Sequence, residues 1–229
     1  VSDPPRDEVE LMARADAIAG HTLGGLARML GRDAPVDLRG HKGWAGDLVE
    51  RALGVRGGSA SAPDVRHLGV EIKSVPLHAD GRPRESTWVT AAPRGGPPGP
   101  WASSPVRHKL ARVLWVPILD EGPPAARRLG VSLLWSPSAE QEAVLARDWA
   151  QLSELLALGE VWRWSARAGE ALQLRPKAAR GDAYIWVVDD GGDWVQATPQ
   201  GFYLRTSFTA QVLAEEPRRH LPPARAAAC

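Results

Sequence analysis

Asp64-Val65-Arg66-His67-Leu68-Gly69-Val70-Glu71-Ile72-Lys73 is the stretch around which the chain is organised. In its second half Leu68, Val70 and Ile72 alternate with His67, Gly69, Glu71 and Lys73. A period of two is that of a strand with one buried face. Glu71 and Lys73 then project from the same face, their Cα atoms roughly 6.6–7 Å apart. A second carboxylate, Asp64, stands upstream, and Pro63 before it favours a turn at the entry.

Two carboxylates can hold a hard divalent cation through oxygen. Such a cation bridges a phosphodiester and lowers the pKa of a bound water. A lysine beside it orients that water or stabilises charge on the phosphorane. The layout is therefore what a metal-dependent nuclease needs. Taken alone, Glu-x-Lys on a strand is more often a solvated face, so the rest of the chain decides.

The chain has 229 residues, 44% of them apolar and 24% charged, the balance of a soluble globular protein. This length suits one large domain or two lobes sharing a cleft. Twenty-three glycines and 20 prolines imply many turns, as in a mixed α/β chain rather than a helical bundle. The one cysteine, Cys229, excludes an internal disulfide framework and suits a reducing, cytoplasmic compartment. No apolar run approaches the ~20 residues that span a bilayer, so no membrane partner is expected. The acidic, proline-bearing N-terminal stretch does not read as a signal peptide. A net charge of +1 means that any nucleic-acid surface must come from local arrangement, not bulk charge.

Working outward, residues 7–19 have helical spacing, and Thr22 can cap a second helix that ends at Gly31. Gly43 to Gly54 reads as a third helix, with Trp44, Leu48 and Ala52 on one ridge. Glu50 sits at the edge of that stripe; it either pairs with Arg51, faces water, or reaches the metal site. Strands are expected at 86–92, 113–119 and 129–135. Ser136-Pro137 predicts the cap and first turn of a long helix running to Leu158, stopped by Gly159. Short strands follow at 172–174, 184–188, 194–197 and 201–205, then a helix from Thr209. Residues 93–105, rich in proline and glycine, mark a boundary between an N-terminal lobe, 1–100, carrying the metal site, and a C-terminal lobe, 101–216. The basic, proline- and alanine-rich tail, 217–229, has the composition of a disordered segment.

Longer blocks are more specific. They are His41-Lys42-Gly43-Trp44 with Leu48-Val49-Glu50; Leu68 to Lys73; Val106-Arg107-His108-Lys109-Leu110 with Arg112-Val113-Leu114-Trp115; Leu133 to Pro137; Leu174-Arg175-Pro176-Lys177-Ala178; and Gly201-Phe202-Tyr203-Leu204. In this order, from about Leu11 to Leu213, the chain resembles the MutH family, the strand-nicking endonucleases of methyl-directed DNA mismatch repair. Pro63-Asp64 with Glu71-Ile72-Lys73 is also, literally, the PD-(D/E)xK signature of the restriction-endonuclease-like superfamily. The resemblance implies an α/β restriction-endonuclease-like fold, a mixed central sheet flanked by helices, with two lobes around a DNA-binding cleft. Residues 179–199 and the tail depart from the family pattern.

The resemblance further implies a catalytic set of Asp64, Glu71, Lys73, Glu50 and Lys109. Asp64, Glu71 and Glu50 would bind Mg²⁺, one ion or two, with Mn²⁺ able to substitute. Lys109 is either a catalytic lysine from the other lobe or a plain phosphate contact. The implied substrate is double-stranded DNA with a hemimethylated GATC site, cut on the unmethylated strand, and the implied partners are MutL as activator and MutS indirectly, acting on a monomer. Lys42 and Arg107 would position the phosphates, and Arg175, Pro176 and Lys177 would enter the major groove, where Arg and Lys donate to guanine O6 and N7. Tyr203 matches a methyl-sensing tyrosine, and is otherwise a half-buried strand tyrosine. Rival readings are a methylation-indifferent GATC endonuclease of restriction type and a non-catalytic DNA-binding relative.

Overall fold

A computed structural model describes residues 3–55, 62–93, 98–120, 122–157, 168–177, 185–188 and 194–215. The chain gathers into two compact units, each built from separated segments. The first comprises Val1–Glu85, Arg112–Ser136 and Ala210–Cys229; the second comprises Ser86–Ala111 and Pro137–Thr209. Composition suggested consecutive lobes meeting near 93–105, but that stretch lies inside the second unit. The physical reason is strand pairing: β1 (Glu71–Leu77) and β3 (Val113–Leu119) are parallel, so the chain must leave the first unit and return to it.

In the first unit, Glu71 lies opposite Val113 and Lys73 opposite Trp115. Residues expected to form one strand over 129–135 instead form two short ones, β4 (Arg128–Leu129) and β5 (Leu133–Trp135), each antiparallel to β3. Three helices join this mixed sheet. In α1 (Glu8–Ile18) Asp7 accepts from the N–H of Glu10, and in α2 (Leu23–Met29) Thr22 accepts from the N–H of Gly25, the cap its sequence predicts. The third, α3 (Trp44–Ala52), starts at Gly43, whose φ of 87° suits glycine. Leu11, Leu26, Leu48, Ile72 and Leu114 belong to their shared core.

The second unit is built on an antiparallel sheet, with β9 (Gln200–Leu204) between β2 (Thr87–Ala91) and β6 (Leu172–Pro176). A separate hairpin pairs β7 (Ile185–Val188) with β8 (Trp194–Ala197). Its helices are α4 (Pro105–Leu110), capped by Ser104, and α5 (Ala139–Ala157). The cap of α5 is Ser138, not Ser136. Ser138 Oγ accepts from the N–H of Gln141, and Gln141 Oε1 accepts from the N–H of Ser138, a reciprocal capping box. The last helix, α6 (Thr206–Ala214), begins three residues before the expected Thr209. The expected stop at Gly159 and the tail lie outside the described residues. Among the described residues no helix is long and apolar enough to cross a membrane.

Candidate active site

The strand that carries Glu71 and Lys73 begins at Glu71, not Leu68. Residues 66–69 form a turn, closed by the bridge between Val65 and Val70 and by Gly69 at φ 67°. That turn folds Asp64 back onto β1, where Asp64 Oδ2 accepts from the N–H of Ile72 at 2.9 Å. The spacing between the acids is thus the length of a tight loop, and it sets two carboxylates at the start of one strand.

The strand is also buried on both faces, not one. Glu71 is only 2% exposed, while Val70 and Ile72 are buried on the other side. Pairing with β3 and packing of α3 cover what an isolated alternating strand would leave in water. A buried carboxylate is costly unless paired. Lys73 Nζ, on the same face two residues on, donates to Glu71 Oε1 at 2.6 Å.

Glu50 arrives from α3. The helix approaches β1 at Gly46, where an added Cβ would lie 3.5 Å from Ser74 Oγ. One turn later, on the same helix face, stands Glu50. It does not pair with Arg51, which donates to both carboxylate oxygens of Asp47 at 2.9 Å. Among the described residues the Glu50 carboxylate has no hydrogen-bond donor or ion pair. Burial pushes its pKa up to about 7, and the negative charges of Asp64, Asp47 and Glu71 add to the rise against a smaller opposing effect of Lys73. Glu50, Asp64, Glu71 and Lys73 therefore occupy one electrostatic neighbourhood in the first unit.

Three oxygen donors with excess negative charge fit a hard divalent cation. Among the described residues, however, no three histidine, cysteine, aspartate or glutamate side chains already stand in ligating geometry. A cation bound there would share Glu71 with the Lys73 ammonium. Lys42 lies exposed in the loop before α3.

The remaining predicted residues belong to the second unit. Arg175, Pro176 and Lys177 are exposed at the end of β6. Arg175 sits 5.8 Å from the centre of the Tyr203 ring and donates to Ser86 Oγ at 2.6 Å. Tyr203, half-buried on β9, meets Trp88 edge-on at 5.1 Å, and Lys177 lies 5.2 Å over the Trp88 ring. Trp88 was not among the residues singled out in the sequence. The only local clue is Gly201 in the facing strand, since a side chain there would collide with the Trp88 ring. Cation–π contact keeps both basic groups beside the aromatic pair.

On α4, Lys109 is 6% exposed, so it is no freely solvated surface lysine. Arg107 is half-buried, with its Nε donating to Glu142 Oε1 at 2.7 Å; the same oxygen accepts from Trp101 Nε1 at 3.2 Å. Glu142 lay outside the sequence prediction because nothing local links it to Arg107.

A Glu-x-Lys strand in a mixed sheet, with one carboxylate folded back onto it and another from an adjoining helix, defines a nuclease of the restriction-endonuclease-like class. The family model described as DNA mismatch repair enzyme MutH matches residues 53–148. A protein of Yersinia enterocolitica, named DNA mismatch repair protein MutH, is 48% identical over 214 residues, covering 92% of this chain and 94% of its own length. Proteins of the same name from Serratia proteamaculans (49% identical; 92% and 94% covered) and Klebsiella pneumoniae strain 342 (48% identical; 93% and 94% covered) are equally similar in extent. The chain belongs to the MutH family of DNA mismatch repair endonucleases.

Proposed function

We propose that the protein nicks the unmethylated strand of double-stranded DNA at hemimethylated GATC sites, 5′ to the G, leaving a 5′-phosphate and a 3′-hydroxyl. The observation that carries this reading is the gathering of Glu50, Asp64, Glu71 and Lys73, with Glu50 pushed up to about 7. The family implies a divalent cation. Glu50, Asp64 and Glu71 are the residues that would hold Mg²⁺, with Mn²⁺ as a substitute, and the ion supplies Lewis-acid polarisation of the phosphate. Glu50 and Asp64 contribute charge, the latter oriented by the Ile72 N–H. Lys73, released in part from Glu71, donates toward the developing charge on the phosphate oxygens. Lys109, buried on α4, acts either as a further catalytic lysine or as a phosphate contact.

Phosphate contacts from Lys42 and Arg107 position the duplex, while Arg175, Pro176 and Lys177 read base edges in the major groove. Tyr203 senses the adenine N6-methyl group, supported by its place between Arg175 and Trp88. MutL is the activator, informed by MutS, and the nuclease acts as a monomer in the cytoplasm.

The test is nicking of a hemimethylated GATC duplex with Mg²⁺, with and without MutL and ATP, using the wild type beside Glu71→Ala and Lys73→Ala. Cutting confined to the unmethylated strand, lost in both variants while DNA binding persists, is the expected outcome. Cutting of both strands regardless of methylation would point to a restriction-type enzyme. Binding without any cutting by the wild type would leave a non-catalytic relative.

A further inference from the structure

Strand β6 is entered through a turn, Ala168–Leu172, whose backbone groups are taken up by side chains from elsewhere in the second unit. Asp148, only 4% exposed within α5, is the centre of this arrangement. Its Oδ2 accepts from the N–H groups of Glu170 at 2.9 Å, Ala171 at 2.6 Å and Leu172 at 2.7 Å, and its Oδ1 accepts from Glu170 at 3.0 Å. From the other side Arg205, the residue after β9, donates Nε to the carbonyl of Gly169 at 2.9 Å and Nη2 to that of Ala168 at 2.8 Å. The Arg205 N–H donates to the Ala171 carbonyl, also at 2.8 Å. Gly169 has φ 80°, and an added Cβ would collide with the Leu172 carbonyl.

A carboxylate can take several N–H donors at once, whereas an amide offers one acceptor oxygen and two unwanted donors. An ionised group is expensive to bury, so its place here is explained by what it holds. It holds the first residue of β6. In the register against β9, Leu172 lies opposite Leu204, Gln173 opposite Tyr203 and Arg175 opposite Gly201. Arg175 is three residues beyond the clamp, and a one-residue slip would turn its side chain to the other face of the sheet. The clamp also ties the two strands to each other at that end of the pairing, because Arg205 extends the strand that carries Tyr203.

We propose that Asp148, with Arg205 opposite, is a positioning residue for DNA base recognition: it fixes the register of β6 so that Arg175 and Lys177 meet the base edges. Asp148 itself touches no DNA. The proposal rests on the reading of Arg175 to Lys177 as the base-reading loop.

Asp148→Asn preserves size and removes the multiple acceptor. Initial cleavage rates of wild type and variant are compared on a GATC duplex and on duplexes altered at one base pair of the site. Binding to a duplex lacking GATC is followed across salt. The ratio of cognate to altered-site rates should fall about tenfold, the scale of one bidentate base contact. Affinity for the duplex lacking GATC, and its salt slope, should stay within about twofold, since they report phosphate contacts. A variant that is merely less stable has a smaller active fraction, which lowers both rates and cancels in the ratio. Arg205→Lys keeps the charge but loses the planar fork. It should show the same fall, and it decides the matter if Asp148→Asn does not fold. Unchanged discrimination in the folded variants, from a wild type that does discriminate, overturns the positioning role alone. A wild type that cuts altered sites as fast as GATC overturns the base-reading assignment itself.

Discussion

Replacing Glu50 with glutamine should stabilise the protein while disabling it. Glu50 is half-buried among Asp64, Asp47 and Glu71, and its pKa in the folded protein is raised from 4.5 to about 7. The folded state therefore holds the proton more tightly than the unfolded chain. Ionisation costs nothing extra below the unfolded pKa, and the penalty grows as pH rises through the window from 4.5 to about 7. The whole displacement corresponds to about 3.4 kcal/mol. Solvent screening of a half-buried side chain reduces this to about 1 kcal/mol. For a chain of this size that is a shift of roughly 2–4 °C in melting temperature. Thermal melts in chelator should show Glu50→Gln melting higher than wild type at about pH 8 and level with it at about pH 4, below the unfolded pKa. Added Mg²⁺ should then raise the wild-type midpoint and leave the variant's nearly unchanged, because binding to the folded state stabilises it by mass action. Nicking should fall by on the order of 100-fold or more. A variant no more stable than wild type at pH 8, or one stabilised equally at both pH values, would refute the electrostatic account of the site.

Two further outcomes follow from contacts in the second unit. Gly201→Ala places a methyl group against the Trp88 ring, so it should cost about 1–3 kcal/mol in chemical denaturation and shift tryptophan emission as the ring moves from Tyr203. Glu142→Gln removes the carboxylate that engages Arg107, so DNA affinity measured by anisotropy should rise by roughly twofold to fivefold at low salt. The gain should vanish at high salt, where phosphate contacts are weak; an equal gain at all salt concentrations would show that Arg107 does not act on phosphate.

What the sequence determined by itself is local. A period of two placed Glu71 and Lys73 on one face, and their ion pair is there. Thr22 and Gly31 bounded α2 because capping and a left-handed glycine depend only on neighbours along the chain. Ordered blocks also carried the family, since 48% identity over 214 residues is sequence information. Tertiary structure decided everything that depends on residues far apart. Glu71 is buried because β3 returns from the second unit to pair with it, which no pattern within 64–73 could show. Glu50 could have met Arg51; the approach of α3 to β1 at Gly46 turned it toward Asp64 and raised its pKa. Trp88 joined Tyr203 through antiparallel pairing of strands more than a hundred residues apart in sequence. Asp148 became a clamp only when α5 met the turn before β6. Short-range periodicity fixes which side chains share a face, but burial, desolvation and partner choice are properties of the assembled core, and those set the chemistry of the site.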